Sequence, residues 1–138
     1  MADRVPGENY SYGDSPYDIH LRIEFAGPDL VCTVTGGTDP HAGAVALAEP
    51  PETMHPVTGE PILRDGVSLS VLTGEGHKDA PIAEMFAKGL CEKYGVNVCV
   101  IAGIHVNGAG TEEIELLVNN AESLLALAKQ DSVAFYDL

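Results

Sequence analysis

Three histidines, His41, His77 and His105, stand at or just beyond the ends of strand-like segments, each in the company of glycine: TGGTDPHAGAVALAEP, LTGEGHKDAP and IAGIHVNGAGTEE. Imidazole changes charge near neutral pH, donates or accepts hydrogen bonds, and ligates divalent metals. Two of the three segments lead into helix starts, whose free N–H groups and positive dipole end hold phosphate or carboxylate without many cations. If the preceding strands are neighbours, the imidazoles gather at one rim of a sheet around a shared ligand. Gly36, Gly37, Gly74, Gly76, Gly108 and Gly110 would let the backbone turn sharply and approach that ligand closely. Lys78 adjoins His77 and adds a cation.

Other chemistry is less well supported. A lone histidine near a strand end more commonly serves loop hydrogen bonds than a ligand. H-x-H and H-E-x-x-H spacings are absent, so a metal would need the fold to converge His41, His77 and His105 from a distance. There is no G-x-S-x-G elbow and no G-x-x-x-x-G-K-[ST] phosphate loop. Glu112 and Glu113 open a helix, where the dipole explains them without an acid–base role. His20 and His55 read as solvated. Cys32, Cys91 and Cys99 show no C-x-x-C and read as small hydrophobes of a reducing compartment. These residues suggest a binder more than a catalyst.

The chain has 138 residues, one domain's worth, with 21 acidic residues against seven Lys and Arg and a net charge of -14. That excess repels phosphate backbones and anionic bilayers, which argues against nucleic acid and membrane partners. No apolar run suits a membrane-spanning helix, and MADRVPGENYSYGDSP has no secretory h-region. A cytoplasmic protein is the expectation.

Stepping along the chain, residues 1–17 read as a polar, flexible tail and residues 18–138 as a single domain. YDIHLRIEFA alternates strictly and predicts a half-buried strand. LVCTVTGG returns after a GPD turn as the second arm of a hairpin. A third strand is expected over 42–48, with one alanine face, followed by a long proline-rich loop over 50–66. VSLSVLT resumes strand character. A helix is expected from an N-cap at Asp79, with Pro81 in its first turn, apolar residues Ile82, Met85, Phe86, Gly89 and Leu90, and a stop at Gly95. VNVCVIAGIHV reads as a central strand. The last helix starts at Thr111 and presents Ile114, Leu117, Val118, Ala121, Leu124, Leu125 and Ala128 as one stripe. SVAFYDL would add an edge strand. The fold class expected is α+β, a largely antiparallel sheet with two helices packed on one face.

Three blocks taken together, TGGTDPHAGAVALA, GEGHKD and AGIHVNGAGTEEI, resemble the LpdD-like family of prenylated flavin mononucleotide chaperones. These small proteins are associated with UbiD-type gallate decarboxylases, and the family is linked to proteasome-assembly-chaperone-like domains. The resemblance spans about Leu30 to Lys129. It implies a non-catalytic protein that holds prenylated FMN, or FMN, and delivers it to an apo-decarboxylase, with a flavin prenyltransferase as a further partner. It also implies a homodimer with the site near the subunit contact. Carried over by position, it touches Gly37, His41 and Gly43, then His77, Lys78 and Asp79, then His105, Asn107 and Glu113. On that reading the phosphate would sit near Gly76 to Asp79 and the isoalloxazine against the small-residue strand after His41. His41 and His105 would bond the ring edge, or share a divalent metal, with His77 as a third ligand. The rival classes are a small histidine- or metal-dependent lyase or hydrolase, and an assembly factor that binds no ligand.

Overall fold

The alternation of Ile19, Leu21 and Ile23 with His20, Arg22 and Glu24 sets the first long strand, because a pleated chain turns successive side chains to opposite faces. In the computed structural model, which describes residues 8–74 and 78–130, the first three are fully buried and the last three exposed. The described elements are β1 (Glu8–Tyr12), β2 (Ile19–Ala26), β3 (Asp29–Gly37), β4 (Ala44–Glu49), β5 (Glu52–Met54), β6 (Pro61–Leu63), β7 (Ser68–Thr73), α1 (Ala80–Tyr94), β8 (Val98–His105) and α2 (Thr111–Gln130). Six strands form one sheet in the order β1-β2-β3-β8-β4-β7. Every pairing is antiparallel except β3 with β8. The α+β architecture expected from the sequence is therefore the one observed.

The sheet order explains the alanines of β4. The chain leaves β7, passes through α1 and re-enters as β8 on the far side of β4. A helix making that crossover must lie across β4, and α1 packs on it. Ala44, Ala46 and Ala48 turn toward α1 and are almost fully buried, as are Ala83 and Ala87 on the helix. Small side chains on both surfaces let helix and strand approach closely. The alanine face is thus filled by α1 and offers no berth for a flavin ring, which corrects the placement expected after His41.

Both helices cover the same face. Phe86 and Leu90 of α1 and Leu124 of α2 join Leu21, Val34 and Val100 in one continuous core. Each such side chain contributes roughly 1.5–3 kcal/mol on burial. The first helix ends where expected, with Gly95 at φ 67° donating its N–H to the Cys91 carbonyl. Burial pushes the Cys32 thiol up to about 12 and, with a smaller push from nearby carboxylates, the Cys91 thiol up to about 11. Both stay protonated and act as packing groups.

Two elements depart from the expected organisation. Residues 8–12, which carry no apolar periodicity, pair with β2 from Glu8↔Ile23 to Tyr12↔Ile19. The backbone of an edge strand is held by its neighbour's hydrogen bonds, so no alternating pattern is required. The proline-rich segment 50–66 contains the small β5–β6 hairpin. Arg64 braces it, donating to the Pro50 carbonyl and Thr53 Oγ1 and pairing with Glu49. The edge strand expected in SVAFYDL falls outside the described residues. Among those described, no helix is long and apolar enough to cross a membrane.

Candidate functional site

The loop between β3 and β4 is stitched along the end of β8. Asp39 N–H and Thr38 Oγ1 donate to the His105 carbonyl, His41 N–H to the Gly103 carbonyl, and Gly43 N–H to the Ala102 carbonyl. Asn107 N–H closes the seam by donating to Thr38 Oγ1. The crossing is tight. A Cβ on Gly103 would overlap the backbone carbonyl of His41, and one on Gly43 would overlap Asp79 Oδ2. Gly37, at φ 84°, lies against the His105 carbonyl. These glycines shape the backbone that carries His41.

Asp79 lies directly before α1 but does not cap it. Its backbone is helical, and its side chain makes no capping hydrogen bond. The carboxylate instead turns to the sheet: Oδ1 accepts the Ile104 N–H at 3.0 Å, and Oδ2 accepts from His41 Nε2 at 2.9 Å. Asp79 is 5% exposed, so these bonds replace the water a carboxylate would otherwise hold. One side chain thereby ties together the start of α1, the end of β8 and the β3–β4 loop.

His41 has acceptors at both ring nitrogens. Nδ1 faces the Asp39 carbonyl at 2.9 Å and Nε2 faces Asp79. Only the imidazolium can donate to both. Its pKa is accordingly raised, first by the Asp39 carbonyl, against a lowering from burial, with further support from the Asp79 hydrogen bond and the charges of Asp79 and Asp39. His41 is therefore a clamp whose two bonds are complete when the ring is protonated. Ligating a metal would cost it one of these bonds. Among the described residues no group of three or more His, Cys, Asp or Glu side chains is placed to hold a metal ion.

A cavity of about 440 Å³ opens beside this clamp, between the first turns of α1 and α2 and the β8–α2 loop. His41, His105, Lys78 and Asp79 line it, so the structure brings together four of the candidate residues. Asn107 is just outside, its Oδ1 3.1 Å from His105 Nε2. Gly76 and His77 lie outside the described residues. The rest of the wall is apolar, with Ile82, Ile104, Val106, Ala109, Ile114 and Val118. Sequence reasoning assigned Ile114 and Val118 to the packed stripe of α2. They are instead 53% and 40% exposed, because they sit on the stripe's edge where it overhangs the cavity.

The two helix starts at this cavity are chemically unlike. On α2, Gly110 N–H donates to Glu113 Oε1 at 2.8 Å, Ile114 N–H closes the first turn on Gly110, and Glu112 adds a second carboxylate. That terminus is neutralised by its own acids. The first turn of α1 holds no acidic residue, Pro81 stands within it, and exposed Lys78 precedes it. Of the two first turns, that of α1 is the one without carboxylates of its own.

The family described as prenylated flavin chaperone LpdD-like domain matches residues 13–132. Protein LpdD of Lactiplantibacillus plantarum is 36% identical over 95 residues, covering 66% of this chain and 60% of that protein. The chain thus spans about 60% of this relative's length. Among solved structures, a chain from a chaperone complex for yeast 20S proteasome assembly superposes with a TM-score of 0.60. That match covers 90% of this chain and 94% of the other at 10% identity, a likeness of fold alone.

Proposed function

The chain belongs to the LpdD-like prenylated flavin chaperone family, and from that premise we propose that it holds prenylated flavin mononucleotide in the cavity between α1 and α2 and passes it to a UbiD-type decarboxylase. The observation that carries this reading is the polarity of the cavity, apolar along its wall and open to an anion at one end only. Its volume falls within the range of about 300–1,000 Å³ usual for small-molecule sites. The phosphate is assigned to the start of α1, near Lys78, where backbone amides supply donors to a protein short of cations. The flavin's ring system and prenyl-derived carbons are assigned to the wall formed by Ile82, Ile104, Ile114 and Val118. His105 stands at the rim, within reach of polar ring atoms. His41 and Asp79 act through position: they hold the loop and α1 in register beside the ligand.

The flavin would supply the decarboxylase's reactive cofactor; the chain itself binds, orients and shelters it. This makes the protein an accessory and not a catalyst. A half-exposed apolar wall suits transfer, since a ligand that must leave cannot be fully enclosed. Anaerobic titration of the purified chain with reduced prenylated FMN should perturb the flavin's visible spectrum and saturate. Adding apo-decarboxylase should then restore decarboxylation faster than free flavin does. A flat titration together with no gain in activation would overturn the reading.

A further inference from the structure

A second cavity, also of about 440 Å³, lies on the other flank of α2, between that helix and the turn joining β1 to β2. Leu116 and Asn120 line it, whereas Ile114 and Val118 line the first cavity. Two positions along a helix carry a side chain to the opposite side. Tyr12 bounds the strand side. It stands opposite Ile19 in the β1–β2 register and so shares the helix-covered face of the sheet, yet it stays 44% exposed. Asp14 and Tyr17 form the turn, which the Tyr17 N–H closes by donating to the Asp14 carbonyl at 2.8 Å. Asn120 Nδ2 donates to the Tyr17 carbonyl at 2.9 Å and fastens the turn to α2. A Cβ on Gly13, at φ 97°, would overlap that amide nitrogen. Asn120 is 8% exposed, and its Oδ1 has no hydrogen-bond partner among the described residues. An acceptor so buried favours a guest that brings a donor.

We propose that this cavity seats an alkyl cation, an ammonium or guanidinium head, between Tyr12 and Tyr17 with its N–H groups turned to Asn120 Oδ1 and Asp14. The lining selects that class. None of the described residues around the cavity is Lys or Arg, in contrast to the first cavity with Lys78. Asp14 makes the mouth negative, and Glu112 stands one turn before Leu116 on the same side of α2. Aromatic rings attract a cation through their negative faces, more strongly where water is partly excluded. An anion would meet a carboxylate, two rings and an amide acceptor. The net charge of -14 draws cations to the surface at large, and the tyrosine pair gives them a place to stay. The same head is carried by an arginine or lysine side chain of a protein partner and by a free polyamine.

Titration of the nitrogen-15-labelled full chain with the peptide acetyl-Gly-Arg-Gly-amide, followed by NMR at fixed ionic strength, tests this. The Gly13 backbone amide and the Asn120 side-chain amide should shift and saturate, with a dissociation constant on the order of millimolar. The citrulline counterpart has the same shape without the charge and should leave both signals in place. Tyr12→Leu should weaken the peptide about fivefold while altering no charge, so general attraction to an acidic surface cannot explain the loss. Unmoved amide signals from β2 would show that β1 is still paired in that variant. Asp14→Asn, at an exposed position, should weaken the peptide about threefold at low salt and gives a second route to the same answer. Spermidine titrated alongside identifies the source: tighter peptide points to a partner's side chain, tighter spermidine to a free polyamine, and either supports a cation site. The proposal is overturned if neither probe moves the two signals, if the citrulline peptide moves them equally, or if both variants bind as the unaltered chain does. Flavin affinity measured with the arginine peptide at saturation should be unchanged, so this site and the flavin cavity stand or fall separately.

Discussion

The two helix starts that face the cavity have opposite chemistry although both follow a strand and a glycine-bearing loop. At α2 the carboxylate of Glu113 returns to the Gly110 N–H and the terminus is closed by its own chain. At α1 the residue in the capping position, Asp79, is diverted to His41 and Ile104 and leaves the first turn without a side-chain cap. A cap is worth about 1 kcal/mol to a helix. At α1 the same carboxylate instead joins the helix start to the β3–β4 loop. The lesson is that a favourable capping residue can be spent on tertiary structure, and the helix end it abandons becomes available to a ligand.

The largest test removes the geometry on which the difference depends. Gly103→Ala drives a methyl into the backbone of the His41 loop and should cost about 3 kcal/mol or more in urea unfolding. Asp79→Asn should cost about 2 kcal/mol, because the imidazolium and the Ile104 N–H lose a charged acceptor. It should also change the pH profile. The folded state raises the pKa of His41, so the clamp contributes fully below the ordinary value of about 6.5 and fades as pH rises through the raised one. Urea midpoints of the unaltered protein should therefore fall by His41's contribution as pH rises from about 6.5 through the raised value, and Asp79→Asn should flatten the fall.

Next is the wall. Ile114→Asp sits at an exposed position, so stability should move within about 0.5 kcal/mol while flavin affinity falls roughly tenfold or more. Unchanged affinity in a fluorescence titration would move the ligand off α2's edge. The smallest effects sharpen the contrast between the two helix starts. Lys78→Ala should weaken flavin binding about two- to fivefold at low salt. Glu112→Gln should leave affinity equal or slightly improved, since it removes a repulsive charge at the closed terminus. Equal losses from both would show that the phosphate does not choose α1.

Much of the frame is legible in the linear pattern. The alternation in residues 19–25 specifies β2 and its buried face, and the spacing of Phe86, Leu90 and Gly95 specifies α1 and its end. The apolar run at 98–104 reads correctly as a central strand. Residues 8–12 were illegible because an edge strand without a buried stripe carries no periodic signal. The roles of Asp79 and of Gly103 were illegible for a different reason. Both depend on a partner far along the chain, and neither local propensity nor spacing encodes which loop will cross which strand.

What the sequence determined by itself was the periodicity of each element, the acidic surface and the gathering of glycine and histidine at strand ends, because these follow from local sterics and composition. The tertiary structure decided what those residues do. Placing β4 between β7 and β8 put α1 over the alanines, leaving the ring no room there, and the seam along β8 gave both His41 nitrogens an acceptor. A capping aspartate became a clamp and two stripe residues became a cavity wall, since burial and charge are properties of neighbours brought together in space.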